Sequence, residues 1–334
     1  MMERLKKVAV VILNWNGRKL LEEFLPSVYQ FTTSEIADII VVDNGSTDDS
    51  VSFLSQNYPN IQLLLFSENY GFAEGYNRAI SQLDYEYVVL LNSDVEATPY
   101  WLEPLLSYCE EHPEVSACQP KLLSYRNKDY FEYAGASGGF IDRYGYTFCR
   151  GRIFDTVEKD SHQYDNITNI FWATGACLFI KRKDYLDVGG LDTHFFAHME
   201  EIDLCWRIHL LGKNIVVVPQ SIMYHLGGAT LDVSNPKKTY LNFRNNLLML
   251  YKNLPLRDGR FLLFIRRLLD TVAMIKFLLG GHWADVNAVW MAHRDYRRDK
   301  KKYKNQPSIN LLKIFPEAHR NIVVDYFFKR KKYF

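Results

Sequence analysis

The chain contains no C-x-x-C pair. Its five cysteines, Cys109, Cys118, Cys149, Cys177 and Cys205, are scattered and odd in number. Neither a zinc ribbon nor a disulfide framework is expected from that spacing, and a reducing compartment is the simpler reading. No G-x-G-x-x-G or Walker sequence occurs, so hydride transfer and P-loop chemistry lose their best support. Spanning a bilayer takes roughly 20 predominantly apolar residues. The most apolar stretch, RFLLFIRRLLDTVAMIKFLLGG, is interrupted by Arg266, Arg267, Asp270 and Lys276, and should lie on a surface rather than cross one. Tandem repeats and low-complexity linkers are absent as well. The opening MMERLKKVAVVILNWNG has the basic-then-apolar order of a signal peptide. Its apolar run (8–13) is too short, however, and ends in Asn-Trp-Asn-Gly instead of a cleavage site, so it reads as a first buried strand.

What is present is an ordinary globular composition over 334 residues, 48% hydrophobic and 24% charged, enough for a substantial core. The net charge of +1 conceals an asymmetry. Residues 1–236 hold 18 Lys/Arg against 32 Asp/Glu, and residues 237–334 hold 22 against 7. An acidic body repels a polyphosphate unless a cation intervenes, so a metal requirement is expected. The basic remainder suits anionic lipid, nucleic acid or the acidic body itself.

Four apolar runs of strand length, VAVVIL (8–13), DIIVVD (38–43), IQLLLF (61–66) and YVVLL (87–91), alternate with segments of helical spacing. That alternation predicts an α/β fold with a parallel sheet covered on both faces. Ligands of such sheets bind beyond the carboxyl ends of the strands. Those ends are Asn14–Gly17, Asp43–Thr47, Glu68–Gly71 and Asn92–Asp94, all polar or glycine-bearing. Residues 120–170, rich in Tyr, Gly and Arg, suit loops and short antiparallel strands over a pocket. After ACLFIKR (176–182) and the helical DLCWRIHLLGK, a strand-like IVVVP follows. The character is helical beyond Pro236.

Several side chains carry candidate chemistry, each with a plainer alternative. Asp94 follows a buried strand, where a carboxylate suits Mg²⁺ or Mn²⁺ shared with substrate phosphates. It equally suits the N-cap of a helix starting near Pro99. Glu200 and Glu201 are adjacent and cannot share one helix face, so one can enter a pocket as a general base while the other bonds to the frame. The alternative is a helix N-terminus whose dipole favours acids. His225 alone reads as a core histidine. Asp43, in VVDNGSTD, can accept hydrogen bonds from a base or ribose, or simply shape an Asx turn.

The order VVILNWNG, VVDNGSTD, ENYGFAEGYN, LLNSD, ATGACLFIKR, VGGLD-x-x-FF-x-x-MEEIDLCWR and YHLGG resembles the family 2 glycosyltransferases of GT-A fold. It is most similar to their bacterial rhamnosyltransferase-like and galactofuranosyltransferase-like branch. The resemblance covers about residues 8–230. It implies a GT-A domain over 1–236 followed by a basic, amphipathic helical region over 237–334. It also implies an inverting, metal-dependent transferase working with Mn²⁺ or Mg²⁺. Asp43 would contact the nucleotide base, and Asn92 and Asp94 would stand for the family's Asp-x-Asp. Glu201 would be the general base, with Glu200 or Asp203 as substitutes, and His225 a further metal ligand. Asn14, Asn16, Asn44, Asn69, Gly71, Asn77 and Ser93 complete the expected nucleotide-sugar cradle. Trp172, Thr174 and Gly175 would border the acceptor. Asn92 departs from the family's first Asp, and Glu201 from its usual Asp.

The expected donor is dTDP-rhamnose, with UDP-hexoses next. The expected acceptor is a glycan or lipid-linked sugar in cell-surface polysaccharide synthesis. Expected location is cytoplasmic, with peripheral contact to the anionic inner face of the plasma membrane, and no nucleic-acid partner. The competing readings are a non-catalytic nucleotide-sugar-binding protein and a nucleic-acid binder using the basic tail. The sequence does not fix an oligomeric state.

Overall fold

The structure is a computed structural model that describes residues 6–227, 235–304 and 306–334. Residues 1–5 of the basic leader and Gly228, the last residue of the YHLGG motif, lie outside the described residues. The first hundred residues follow the expected alternation. In order they are β1 (Val8–Asn14), α1 (Arg18–Phe31), β2 (Ala37–Asp43), α2 (Ser50–Asn57), β3 (Gln62–Leu65), α3 (Gly71–Gln82) and β4 (Tyr87–Leu91). Strands β3, β2, β1 and β4 lie side by side and parallel. The chain therefore builds outward from β1 to one side and then returns to its other side, and the two directions part at the carboxyl ends of β1 and β4.

Beyond β4 come β5 (Val95–Ala97), α4 (Glu103–Glu111) and β6 (Val115–Ser124). A small antiparallel meander follows, made of β7 (Gly139–Ile141), β8 (Thr147–Cys149), β9 (Arg152–Ile153) and β10 (Thr156–Val157). The chain rejoins the main sheet through β11 (Thr168–Asn169) and β12 (Cys177–Lys181), then α5 (Arg182–Asp187), α6 (Glu200–Leu210) and β13 (Asn214–His225). β12 runs antiparallel between β4 and β6, so the sheet is mostly rather than wholly parallel. The physical reason is the route. β12 is reached from the meander, not through a crossover helix, and nothing forces it to run parallel. β13 is parallel to β6 and antiparallel to the short β5.

Alternate residues of β1 enter opposite layers. Val8, Val10 and Ile12 pack with Leu21, Leu25 and Leu105 from α1 and α4, while Ala9 and Val11 pack with Tyr76, Ile80 and Trp206 from α3 and α6. The second layer continues into the C-terminal helices α7 (Pro236–Asn253), α8 (Leu256–Leu279) and α9 (Trp283–Asp299). Leu247, Leu248, Met249 and Leu250 of α7 and Ile322 near the C-terminus are all at most 1% exposed and belong to that same apolar cluster. All five cysteines are free and buried. No helix among the described residues is long and apolar enough to cross a membrane.

Because α7 completes a core layer, a chain ending at residue 236 should fail to fold. Burial of one aliphatic side chain is worth about 1.5–3 kcal/mol, and four consecutive ones leave together. Circular dichroism and sizing of the truncated chain check this, the expected outcome being loss of a cooperative thermal transition.

Candidate active site

The carboxyl ends of β1 and β2 are joined side chain to side chain. Asn14 and Asp43 are register partners, and Asn14 Nδ2 donates to Asp43 Oδ1 at 3.0 Å. The other Asp43 oxygen accepts the Ser46 N–H at 2.9 Å. Asn16 Oδ1 accepts the Thr47 N–H at 2.7 Å, and Asn44 links Asn69 Oδ1 to the Gly71 carbonyl. Gly45 has φ +73°, and a Cβ there would stand 2.6 Å from the Glu68 backbone, so only glycine lets the two loops touch. These asparagines staple a rim in which Asn14 Oδ1 remains buried without a partner. Asn77 is placed elsewhere. Its amide is committed to the carbonyl and N–H of Leu191 and to the Tyr185 hydroxyl, which makes it a brace for that loop and takes it out of the cradle.

Beside this rim, β4 ends and β13 arrives. The antiparallel register of β13 against β5 pairs His225 with Val95, which sets the imidazole next to Asp94. His225 Nε2 lies 3.2 Å from Asp94 Oδ1, and the Leu226 N–H donates to the Asp94 carbonyl at 3.0 Å. On the far side of the ring, Nδ1 lies 3.3 Å from Glu132 Oε1, a charge contact without good hydrogen-bond alignment. All three side chains are buried. Burial alone would lower the imidazole pKa. The Glu132 and Asp94 carboxylates outweigh it and hold His225 protonated, pushed up to about 10. Asp94 caps no helix: α4 begins only at Glu103. Glu132 escaped sequence reasoning, since an acid inside FEYAGASGG carries no motif.

The third component comes from α6. The loop before it is wound tightly, with positive φ at Phe196 (66°), His198 (67°) and Met199 (74°). Such non-glycine angles persist only when surrounding contacts over-determine them. The contacts come from α7, where Asn245 Nδ2 donates to the carbonyls of Phe195, Ala197 and His198 at 2.8, 2.9 and 2.9 Å. Arg244, paired with Asp299, adds a bond to the His194 carbonyl. The clamped loop delivers Glu200 and Glu201 as the first residues of α6. Gly175 lies against Glu201: a Cβ there would be 3.7 Å from Glu201 Cβ. The next residue, Ala176, accepts the Asn92 N–H at 3.0 Å, which ties this position to the end of β4.

Burial raises the Glu201 carboxyl to about 7, against the pull of backbone N–H groups in the first turn. Burial and the neighbouring Glu201 charge also push Glu200 well above the usual carboxylate range. One carboxyl oxygen of each is buried without a partner. Asp203 is different. Its oxygens are engaged by Lys252 (2.8 Å), Arg207 (2.8 Å) and Asn253 (2.7 Å), which fastens α6 to α7 and leaves it no place as a substitute base. Trp172 also departs from expectation: it is interior, bonded to the Phe140 carbonyl and packed against Gly139, not lining a cleft. Thr174 is buried under Gly175, its N–H on Gln119.

Two outcomes follow. Asn245→Ala removes the amide shared by three loop carbonyls, of which only that of Phe195 keeps another donor, the Ala197 N–H, and should cost about 1–3 kcal/mol in urea unfolding, with kcat falling more than donor KM changes. For Glu201, the folded pKa of about 7 lies above the 4.5 of a free glutamate, so the folded state binds the extra proton. Wild-type stability therefore declines as pH rises from about 4.5 through about 7. Glu201→Gln should escape that loss and be about 1–3 kcal/mol more stable than wild type at pH 8, yet equal to it near pH 4, in denaturant titrations at both pH values.

Comparison with known proteins fits this arrangement. Residues 9–188 match the glycosyl transferase family 2 profile. An N-acetylglucosaminyl-diphospho-decaprenol L-rhamnosyltransferase of Mycobacterium tuberculosis is 28% identical over 234 residues, 65% of this chain and 75% of that protein. A low-salt glycan biosynthesis hexosyltransferase, Agl10, of Haloferax volcanii is 23% identical over 251 residues, 73% and 75% of the two chains. Among solved structures, the mannosyltransferase PcManGT from Pyrobaculum calidifontis, in complex with GDP-Man and Mn²⁺, aligns with TM-score 0.53 at 16% identity, covering 89% of this chain and 77% of that one. GalNAc-T7 with UDP, GalNAc and Mn²⁺ aligns with TM-score 0.57 at 15% identity, covering 75% of this chain and 48% of that one. The sheet and its flanking helices thus have the GT-A fold, and the chain belongs to glycosyl transferase family 2.

Proposed function

We propose that the protein is an inverting, divalent-metal-dependent transferase that moves a sugar from a nucleoside diphosphate to a hydroxyl of a glycan or lipid-linked acceptor, in the synthesis of a surface polysaccharide. dTDP-rhamnose is the favoured donor and a UDP-hexose the next, on the similarity to the mycobacterial rhamnosyltransferase. The reading is carried by one observation. Asp94 and His225 face each other at 3.2 Å at the carboxyl edge of the sheet. Glu201 meanwhile lies against Gly175, whose neighbour Ala176 is bonded to Asn92.

The donor set fits a metal. Asp94 offers a carboxylate oxygen and His225 an imidazole nitrogen, a pair suited to Mn²⁺. Glu132 stands 3.3 Å from the opposite ring nitrogen, on the side from which carboxylates support metal-bound imidazoles. Among the described residues no group of three His, Cys, Asp or Glu side chains is arranged to hold an ion. Two protein donors accord with a cation that is completed by substrate phosphates and water. When bound, the metal supplies charge neutralisation at the departing diphosphate.

The chain's own residues do the rest. Asp43, held by Asn14 and Ser46, accepts from the base, and the stapled asparagine rim shapes the cradle. Glu201 removes the proton of the acceptor hydroxyl as that oxygen bonds to the anomeric carbon and the carbon–phosphate-oxygen bond breaks. Attack opposite the leaving group inverts the centre in one displacement.

Asp94 is buried, so an isosteric change is the proper test of its role. Asp94→Asn should weaken Mn²⁺-dependent donor binding by about 100-fold or more in calorimetry. Glu201→Gln should retain donor affinity and lower kcat by about 10²–10⁴. A fully active Glu201→Gln enzyme would remove the base assignment. Since Glu201 must be ionised to act, kcat should rise with pH up to about 7 and then level, read as nucleoside diphosphate release.

A further inference from the structure

Helix α8 is arranged in the opposite sense to an ordinary surface helix. Its inward face carries Leu262 and Leu263 together with a buried ion pair, Arg266 with Asp270, closed by His293 at 3.0 Å. Its outward face is apolar. Phe261, Phe264, Leu268, Val272, Ile275 and Leu279 recur at spacings of three and four and form one stripe about 27 Å long. They are 50–84% exposed, too much contiguous apolar surface on one helix to be incidental. Trp283, the first residue of α9, is 70% exposed as well.

Charge decides what covers it. On the helical wheel Arg260 and Arg267 flank one side of the stripe and Lys276 the other. The two acids of α8 are withdrawn from this face: Asp270 is buried, and Asp258 is paired with Lys313. Arg260 and Arg267 also line a cleft of about 230 Å³ between α7, α8 and α9, with Lys300, His293, Tyr251 and Tyr296. No carboxylate lines it, and Arg260, Arg267 and Lys300 have no ion-pair partner among the described residues. Lys300 instead sits 5.5 and 5.4 Å from the rings of Tyr251 and Tyr296. An apolar stripe bordered by unpaired cations, with a basic cleft at its edge, is complementary to acyl chains beneath phosphate headgroups.

We propose that the outer face of α8 is a docking surface for an anionic lipid bilayer, with the stripe entering the acyl boundary and the Arg260–Arg267–Lys300 cleft taking a lipid phosphate. This deepens the reading of a peripheral enzyme acting on lipid-linked acceptors and gives that contact a definite face. α8 lies in the plane of the interface and does not cross it.

The test uses the full chain, cosedimented with vesicles of phosphatidylglycerol and phosphatidylcholine or of phosphatidylcholine alone. The wild type should bind the anionic vesicles at least about tenfold more tightly, and less so as salt rises. Leu268→Gln/Val272→Gln, both exposed, should lose at least about tenfold in vesicle affinity. Arg260→Gln/Arg267→Gln should lose the preference for phosphatidylglycerol. Both variants should release nucleoside diphosphate from donor in solution at the wild-type rate. A wild type that ignores anionic vesicles, or a Leu268→Gln/Val272→Gln variant that binds them unchanged, overturns the proposal. So does a variant whose only defect is loss of a wild-type dimer on sizing, since the face would then join two copies of the chain. Vesicle binding without nucleoside diphosphate release would instead sink the transferase reading and leave the docking face standing.

Discussion

A histidine held between two buried carboxylates is the contact around which the candidate site is organised. His225 reaches Asp94 because β13 runs back along β5 in a register that pairs His225 with Val95, and Glu132 stands behind the ring. Moving β13 by one residue would turn the imidazole to the opposite face of the sheet. The long pairing of β13 with β6 therefore has chemical as well as architectural weight: it fixes a nitrogen and an oxygen at the spot where the strand order reverses. The positive charge that the two carboxylates favour on the imidazole reconciles a buried acidic pair with a stable fold.

The C-terminal helices act on the same site from a distance. α7 supplies core side chains to one layer, Lys252 to Asp203, and the Asn245 amide to a loop whose positive φ values would otherwise relax. The strain before α6 and the clamp that holds it are thus distributed over parts of the sequence some fifty residues apart. α8 faces the other way, toward whatever lies outside. The basic excess after residue 236 divides accordingly. Arg244, Lys252 and Arg266 are inside, neutralising carboxylates of α6, α8, α9 and their flanking loops, while Arg260, Arg267 and Lys276 remain outward.

Much of the fold was legible because parallel strands buried on both faces write themselves as continuous apolar runs. β1, β2 and β4 could be read to within a residue or two, and Asn14, Asp43 and Asp94 were identifiable simply as polar residues at strand ends. What stayed hidden depends on long-range pairing. The antiparallel insertion of β12 looks no different in sequence from a parallel strand. Glu132, in a glycine-rich loop, acquires meaning only from His225 on a strand ninety residues away. Asn245 lies in a plain helical pattern whose one signal is the pair of buried asparagines 245–246 within it. Asn77, Trp172 and Asp203 show the converse: their residue types suit a ligand site, but the structure uses their polar groups for internal bracing.

The central claim is that Asp94, Glu201 and His225 serve one cleft. Its most direct test is a crystal structure with Mn²⁺ and a non-hydrolysable nucleotide sugar, the ion located by its anomalous scattering. The account requires the ion bonded to Asp94 and His225, the diphosphate on its open side, and the Glu201 carboxylate facing the anomeric carbon from the side opposite the leaving group. An ion bound elsewhere, or a donor whose anomeric carbon lies out of reach of Glu201, would contradict it.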